Sequence, residues 1–474
     1  MVSVKVHRST SQAVRFVPVV AVAALLLVAI GCGGGSGSSA GTIHSSAFNA
    51  TQVRMGDAPA DRVVSFEVTI GPVSLTPSGG SPTTVLSGTR RLELTHLSGT
   101  SEPLALLNIP AGSYTSASIM VSNPEVTFLN SANVLQELQP ALSQTITLNF
   151  SPALSVTAGS SVVDFDLNVA NSLTFDNSGN VTGVNLSASS FSVSTSAVAV
   201  DRNNEQEDDG ELEDTVGMVT GVNGSSFTIT VGQNGVPLTF STDANTQFSD
   251  GAALGTMLNT IVKVEGATLT DGSLYAKEVE GMESSTGAEA EGLITKVTGN
   301  PATQLTVVAQ DGLGNGLDNS KIGTTLTANV SGAGYKVSKG NIDTSGLSGL
   351  PNPTFPFDAT SIHAGQSVEL ESASGVTNSS VTAETVQLQQ QGLSGTVSGL
   401  AGPTTAGPVT FTLTVPSDSA FAQLSGKTAI MVFWQPGTDL HHLTSVNNND
   451  TVRVRGLVFF TSTGVNMIAR RIGQ

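Results

Sequence analysis

The chain has 474 residues with 51 glycines and one cysteine; 12% of its residues are charged, 5% are aromatic, and its formal net charge is −18 at pH 7. This length allows roughly two to four domains, each large enough to bury a core. The acidic charge argues against a nucleic-acid partner, and one cysteine excludes both an intramolecular disulfide and a zinc site built from several thiolates.

The N-terminal residues have the layout of a secretory signal. Three basic residues, Lys5, Arg8 and Arg15, precede an apolar run, Val17–Ile30, that is followed by small residues. The run is too short to span a membrane comfortably, which takes about 20 residues. The pattern predicts that residues 1–31 are a signal peptide, and their removal would change the formal charge from −18 to −21.

The lone cysteine, Cys32, follows this segment directly. Its position resembles the lipobox of bacterial lipoproteins, although Ala29 stands where that box usually has leucine. The resemblance implies that Cys32 is lipidated and becomes the mature N-terminus, with residues 32–43 as a glycine- and serine-rich tether. We therefore expect an exported protein that is lipid-anchored to the cell envelope, at the outer membrane if the host has one, because Gly33 is not the aspartate of the simplest inner-membrane retention signal. The alternative is an ordinary secretory signal with an incidental cysteine.

The first folded block is expected over residues 44–200. Val64–Ile70 alternates apolar and polar residues with the period of a half-buried strand, and further strand-like segments recur between turn signals. The block therefore predicts a β-sandwich. Within it, Leu104–Asn108 and Val134–Leu142 are expected to form short helical turns.

Two motifs of this block carry a family resemblance. The sequence GDAPAD (Gly56–Asp61) and the turn IPAGSY (Ile109–Tyr114) together resemble an uncharacterised domain family that is common at the front of bacterial lipoproteins. The resemblance implies no established catalytic residues.

An acidic segment follows the sandwich. Asp201–Asp214 contains eight acids in fourteen residues, which predicts a solvated, extended interdomain linker over residues 201–215. An EF-hand is not supported, because Gln206 stands where such a loop needs glycine and Leu212 where it needs a bidentate glutamate. We expect no cofactor beyond weak, non-specific Ca²⁺ association.

After the linker the chain repeats a short pattern of strands. Three units are expected, at residues 216–283, 290–391 and 392–474, and they open at Gly217, Gly292 and Gly395. Each offers about five short strands and is closest to a small OB-like barrel, so the predicted fold is all-β: a sandwich followed by about three OB-like barrels. The first unit also resembles a second uncharacterised family of short β-domains, often found in tandem.

Candidate site residues are few. Two acid pairs, Asp57/Asp61 and Asp164/Asp166, are weak candidates for a metal or a hydrolytic dyad, because Asp164 and Asp166 share one face of a predicted strand. The most concentrated polar and aromatic cluster consists of four weak candidates for ligand binding: Trp434, Asp439, His441 and His442.

Two hypotheses about function follow. The first is a non-catalytic, membrane-anchored binding or scaffolding module of the bacterial envelope, whose partner is a glycan or a protein; the alternative is an envelope hydrolase with carboxylate or divalent-metal chemistry. The absence of a recognisable nucleophile–base pair favours the first, and we expect that the protein is not an enzyme. Nucleic acid is not expected as a partner, because residues 216–474 carry a net charge of −8 and offer only one basic group, Arg453, Arg455, Arg470 and Arg471, near the C-terminus.

Overall fold

The structure is a computed structural model that describes residues 50–58, 62–98, 101–157, 161–198, 211–231, 237–281, 287–338, 342–344, 347, 355–402, 404–441 and 443–473. The predicted signal peptide, Cys32 and the tether lie outside these residues, as do residues 201–210 of the acidic segment. Among the described residues, no helix is long and apolar enough to cross a membrane.

The N-terminal region consists of strands joined by turns and three single-turn 3₁₀ helices. Its strands are β1 (Ala50–Ala58), β2 (Val63–Pro77), β3 (Thr83–Leu86), β4 (Arg90–Glu93), β5 (Ser101–Asn108), β6 (Gly112–Leu129), β7 (Leu135–Leu138), β8 (Ser143–Val156), β9 (Ser161–Asn168), β10 (Leu173–Phe175), β11 (Val181–Val184) and β12 (Phe191–Ala197), and its 3₁₀ turns are Thr95–Leu97, Ala170–Ser172 and Ala188–Ser190.

These strands form two main sheets. One has the order β12-β9-β1-β5, and the other has the order β3-β2-β6-β7, with β4 beside β2 and β8 beside β6. Buried residues of both sheets, such as Phe165 from the first and Phe66 from the second, belong to one hydrophobic core. Two sheets that share a core constitute the predicted β-sandwich.

The prediction of two short helical turns in this block is wrong. Leu104–Asn108 lies in β5 and Leu135–Leu138 forms β7, each paired with an antiparallel neighbour. Strand pairing in the sheet outweighs the weak helical preference of these leucine-containing segments.

The second region contains the first and second barrels. The first has β13 (Glu211–Asn223), β14 (Ser226–Val231), β15 (Pro237–Ser241), β16 (Gln247–Ser249), β17 (Ile261–Thr268) and β18 (Leu274–Gly281); the second has β19 (Ala288–Gly299), β20 (Ala302–Gly314), β21 (Thr325–Asn329), β22 (Gly334–Val337), β23 (Ser367–Ser372), β24 (Ser380–Thr382) and β25 (Thr385–Leu388).

The third barrel completes the chain. It has β26 (Gln390–Ser398), β27 (Val409–Thr414), the short helix α1 (Ala420–Ser425), β28 (Ala429–Leu440), β29 (Thr451–Thr461) and β30 (Gly464–Gly473). Its five strands close in the order β26-β27-β28-β30-β29, with β28 and β30 parallel. The first barrel has the same cyclic order, since β15 pairs in parallel with β18. The strands of the second barrel form one sheet in the order β22-β25-β23-β19-β20-β21-β24, in which β21 and β24 are parallel and no pairing between the described strands closes the ring. The all-β prediction is confirmed.

The opening glycine has the same structural role in all three barrels. A Cβ atom would lie 2.8 Å from the carbonyl oxygen of Thr230 if placed on Gly217, 2.1 Å from that of Val308 if placed on Gly292, and 2.6 Å from that of Thr414 if placed on Gly395. Each of these carbonyls belongs to the second strand of its barrel. The recurrent glycine therefore permits the close approach of the first two strands, which only a residue without a side chain allows.

Two boundaries differ from the sequence-based expectation. Strand β13 begins at Glu211, inside the predicted linker 201–215, because Leu212 and Thr215 are buried against β17 in a bulged pairing. The third barrel begins at Gln390, two residues before the predicted boundary.

Buried hydrogen bonds join the sandwich to the second barrel. Residues 47–474 group into one compact unit. Within it, the amide of Gln310 donates to the carbonyl of Val64 at 2.7 Å, and the hydroxyl of Thr127 donates to the carbonyl of Gly323 at 2.8 Å. Both bonds are buried and cross from one module to the other, so they fix the relative position of the two modules.

The third barrel contacts both the sandwich and the second barrel. The guanidinium of Arg455 donates to the carbonyls of His96 and Ser98 in the sandwich, each at 3.3 Å. Against the second barrel the contact is aromatic: the ring of Phe355 lies 5.1 Å from that of Phe433 and 5.4 Å from that of Phe459, in edge-to-face geometry. The second and third barrels therefore share one apolar core.

Candidate functional site

The acid pair Asp164 and Asp166 lies on β9, at partly buried positions that face the same way along the strand. Burial raises the pKa of Asp166, while the charges of Arg453 and His441 and a 3.5 Å hydrogen bond from Ser192 oppose the rise. The structure thus brings together Asp166 and His441, two of the predicted candidates, although they are far apart in sequence.

The other predicted residues are dispersed. Asp439 forms a 2.9 Å ion pair with Arg471, and both side chains are largely buried. Trp434 is fully buried in the core of the third barrel, so its side chain is not at a ligand-accessible surface. His442 and Asp61 lie outside the described residues, and so does the side chain of Asp57.

The basic group near the C-terminus is largely internal. Arg455, Arg470 and Arg471 are each at most 5% exposed. Their side chains contact protein groups such as the sandwich carbonyls and Asp439. These three arginines are consequently not displayed for phosphate groups, which bind exposed Lys and Arg.

No group of three or more His, Cys, Asp or Glu side chains among the described residues is placed to hold a metal ion. The weak metal candidates therefore do not form a centre in that part of the chain. The most distinctive site lies elsewhere.

An acid-rich cavity of about 440 Å³ lies between the first and second barrels. Four carboxylates of the first barrel and one lysine from each barrel line it, with Gln387 and two serines: Ser249, Asp250, Lys263, Glu265, Glu278, Glu280, Lys336, Val337, Ser338 and Gln387. The volume is in the range of small-ligand sites, about 300–1,000 Å³.

A buried ion pair forms the floor of this cavity and joins the two barrels. Lys263 on β17 and Glu369 on β23 lie 3.0 Å apart, and their side chains are 4% and 1% exposed. Gln389 donates a further hydrogen bond to Glu369 at 2.8 Å. Removal of both charges from water is costly, and close pairing with hydrogen bonds offsets that cost.

A second buried carboxyl group, that of Glu289, lies close to Glu369. Burial raises the pKa of Glu289 well above its ordinary value, and the neighbouring carboxylate Glu369 raises it further while Lys263 opposes the rise. Its burial therefore favours the neutral form of the Glu289 carboxyl group.

The wall of the cavity holds one carboxyl group, that of Glu280, whose pKa is raised. Burial raises the pKa of Glu280 to about 7; the charge of Lys263 opposes this, and Glu369 and Asp250 add to it. Lys336 lies 3.6 Å from Asp250 and 3.8 Å from Glu371. Burial opposes protonation of Lys336, but the carboxylates around it raise its pKa.

One residue of the cavity wall has a side-chain nitrogen that is out of contact with solvent and has no hydrogen-bond partner. The side chain of Gln387 is 3% exposed, lines the cavity, and its Nε2 donates to no other group. A buried amide without a partner costs about 1–3 kcal/mol, so such groups are commonly satisfied by a ligand or water.

A second polar cluster lies in the sandwich. Glu93 accepts a hydrogen bond from the backbone amide of Phe66 at 2.8 Å, and its Oε2 lies 2.9 Å from Nδ1 of His96. Burial opposes protonation of His96, but the hydrogen bond and charge of Glu93 outweigh it and raise its pKa to about 9. The pair is charged at neutral pH and holds the turn whose carbonyls receive Arg455.

The modules that form these sites match two family models. Residues 50–207 match "Domain of unknown function (DUF4382)", and residues 216–280 match "Domain of unknown function (DUF5666)". The predicted presence of two uncharacterised domain families is confirmed. No curated protein matches the chain.

The cavity belongs only in part to the matched region. Asp250, Lys263 and Glu280 lie within residues 216–280, whereas Lys336 and Gln387 follow that range. The sequence analysis missed this site because its walls come from segments more than a hundred residues apart. A signal was present: Lys263/Glu265 and Glu278/Glu280 place charges at alternate positions in otherwise apolar strands.

Proposed function

We propose that this chain is an exported, lipid-anchored protein of the bacterial cell envelope that acts as a non-catalytic binding or scaffolding module. Its N-terminal residues supply the signal and the cysteine for anchoring. Its β-modules supply a body that carries binding surfaces, joined to the anchor by the glycine- and serine-rich tether.

The observation that carries this proposal is the way the modules are joined. The sandwich meets the second and third barrels through buried side-chain-to-carbonyl hydrogen bonds from Gln310, Thr127 and Arg455. Such bonds hold the modules in one arrangement, because donor and acceptor meet only when the modules are docked. Modules connected only by flexible linkers would not need such hydrogen bonds, whereas a scaffold with a fixed arrangement of modules does.

The partner we propose is an envelope protein or glycan rather than a nucleic acid. The formal charge of −18 opposes the approach of a polyanion, and the basic residues of the third barrel are mostly buried. A partner with cationic groups would be attracted instead.

Anchoring is tested by Cys32→Ser. Stable membrane attachment needs more than one acyl chain, and loss of the acylated cysteine removes all of them. We expect the variant to move from the membrane fraction to the soluble exported fraction, as measured by fractionation after a high-salt wash.

Ser36→Ala, in the same tether, is the matched control and should remain with the membrane. A Cys32→Ser protein that stayed membrane-bound after the wash would show that the anchor lies elsewhere, and the lipid-anchor part of the proposal would then be abandoned.

A further inference from the structure

We propose that the first and second barrels recognise each other through the same face, and that opposite charges at equivalent positions of this face select the partner. This pairing face is formed by the outward side chains of the strand that flanks the opening strand opposite to the second strand of the barrel: β17, β23 and β29. The inference rests on the proposed scaffolding function and deepens it, because it names the partner of a barrel as another barrel with the complementary charge. It does not depend on the lipid anchor.

The register of the sheets makes the three pairing faces equivalent. The opening glycine of each barrel is paired with a valine of this strand: Gly217 with Val262, Gly292 with Val368 and Gly395 with Val452. Each valine is followed by a charged residue, which occupies the first charged position: Lys263, Glu369 and Arg453. A second charged position lies two residues further along: Glu265, Glu371 and Arg455. The three strands therefore present copies of one surface that differ in the sign of its charges.

The charged side chains of this face point away from the barrel cores. Successive side chains along a strand alternate between its two sides, and Val262 and Val264 belong to the core of the first barrel. Lys263, which lies between them, therefore points outward, yet its side chain is only 4% exposed. The same holds for Glu369 in the second barrel, which is 1% exposed. Outward charges that are nevertheless buried mark a face that another module covers.

The equivalent positions of the first and second barrels meet each other. Nζ of Lys263 lies 3.0 Å from Oε2 of Glu369. Contact between equivalent positions is the mark of an isologous interface, in which two copies of one surface face each other across a two-fold axis. Here the two copies are barrels of one chain, so the axis is approximate and the two charges can be of opposite sign.

A second pair of equivalent elements has the same symmetry. Strand β16 of the first barrel and β22 of the second each pair in parallel with the last strand of their own barrel, β18 and β25. Their ends meet across the junction, where Nζ of Lys336 on β22 lies 3.6 Å from Oδ2 of Asp250, the residue after β16. The lysine of this pair belongs to the second barrel, whereas that of the first pair belongs to the first. Each barrel thus offers one cation and one anion to the other.

The pairing face of the third barrel carries two arginines and has a different partner. Arg455 donates to the carbonyls of His96 and Ser98 in the sandwich. Burial raises the pKa of Asp166 on β9 of the sandwich, and the charge of Arg453 opposes that rise. A basic face would repel the lysine of the first barrel, and it is matched instead by a carboxyl group and carbonyl oxygens. The sign of the charge thus agrees with the partner of each face.

The test exchanges the charges and measures acetylation of lysines by mass spectrometry in the full-length protein in detergent. A buried lysine is protected from an amine-reactive reagent, and the exposed Lys296 is the internal reference. We expect Lys263 in the parent to react at least about tenfold more slowly than Lys296. Glu369→Lys places two cations at the junction and should raise the reactivity of Lys263 at least about fivefold. Lys427→Glu, at an exposed lysine of the third barrel, is the matched control and should leave Lys263 protected.

The double variant Lys263→Glu/Glu369→Lys restores opposite charges with their places exchanged. The lysine introduced at position 369 should be at least about threefold better protected than the same lysine in Glu369→Lys. The recovery is expected to be partial, because Glu280 and Glu289 border the exchanged positions. Equal reactivity in the single and double variants would overturn selection by charge, and full protection of Lys263 in Glu369→Lys would overturn the role of the pairing face.

Far-ultraviolet circular dichroism separates loss of pairing from loss of folding. We expect the strand signal to persist in Glu369→Lys. If that signal is lost, the double variant decides: recovery of both the signal and the protection supports selection by charge, and failure to recover them overturns it. Neither outcome affects the fractionation result for Cys32→Ser, so failure of the pairing assignment and failure of the anchor remain distinguishable.

Discussion

The second barrel is joined to its two neighbouring barrels by contacts of opposite chemistry. Against the third barrel it presents Phe355, which packs edge-to-face with Phe433 and Phe459 in a shared apolar core. Against the first barrel it presents Glu369, which is paired with Lys263 beside an acid-lined cavity. The second barrel thus shares an apolar core with one neighbour and an ion pair with the other.

The two contacts therefore differ in role. The apolar contact stabilises the junction of two barrels, and the ion-paired contact can select a ligand. Apolar burial is favourable at any pH and excludes water, whereas a buried ion pair contributes little net stability and depends on protonation. The first contact is suited to hold two barrels permanently. The second keeps polar groups at the junction, where a ligand can reach them.

The largest expected effect is at the apolar contact. Phe355→Ala leaves a cavity where a fully buried ring packs on two others, and should lower the free energy of unfolding by about 3–5 kcal/mol. Chemical denaturation should show the second and third barrels losing stability together. Phe175→Ala, at a ring that is 46% exposed in the sandwich, is the control and should change stability by less than about 0.5 kcal/mol. A shift confined to one barrel would contradict the shared core.

Mutation of the ion-paired contact should lower the stability less than Phe355→Ala does, and by an amount that depends on pH. Lys263→Met leaves Glu369 buried without its cation, which we expect to cost about 3 kcal/mol at pH 8. The cost should shrink at lower pH, because a buried carboxylate without a cation is neutralised by protonation rather than kept charged. Lys263→Met/Glu369→Gln should recover most of the loss at pH 8.

Lys336→Met, in a solvent-exposed pair with Asp250, is the matched control for Lys263→Met and should cost less than about 0.5 kcal/mol. If Lys263→Met cost the same at pH 5 and pH 8, the loss would come from packing rather than from the charge of Glu369.

The smallest expected effect is the titration of Glu280. Its pKa is raised from 4.5 to about 7 in the folded protein, chiefly by burial, with Glu369 and Asp250 adding and Lys263 opposing. The folded state therefore holds this proton more tightly than the unfolded state, and the resulting stability is full below about pH 4.5 and is lost as the pH rises through about 7. Glu280→Gln should be more stable than the parent by about 1–2 kcal/mol at pH 8, with the difference vanishing near pH 4.5.

Urea denaturation at several pH values measures this, with Glu384→Gln as an exposed control. If Glu280→Gln and the parent had the same stability at every pH, Glu280 would not be the group that titrates.

The sequence predicts the strands and modules better than it predicts their contacts. The alternation of Val64–Ile70 and the recurrence of Gly217, Gly292 and Gly395 are local signals, and the structure explains both by burial and by close strand approach. Helix α1 was missed although Ser419 caps its start and Gly426 ends it in a left-handed conformation. Those two residues are a usable signal in a short segment that otherwise suggests a turn.

The site could not be predicted because it depends on which modules meet. Lys263 and Glu369 are 106 residues apart, and neither barrel alone requires a buried charge at its position. Asp166 and His441 were proposed separately, and only the packing of sandwich and third barrel brings them together. Trp434 was proposed because it lies near Asp439 and His441 in sequence, but that nearness does not distinguish a core tryptophan from an exposed one.

The contact between Gln310 and Val64 has a consequence for synthesis of the chain. The two residues are 246 positions apart, and the first barrel lies between them in sequence. At a ribosomal rate of about 5–20 residues per second, the sandwich is complete for several seconds or more before its docking partner emerges, and Val64 itself waits roughly 12–50 s. During that interval Val64 and Leu129, which pack with Val308 and Ala420 in the folded protein, lack those partners, so the docking face of the sandwich is completed only when the barrels have been synthesised.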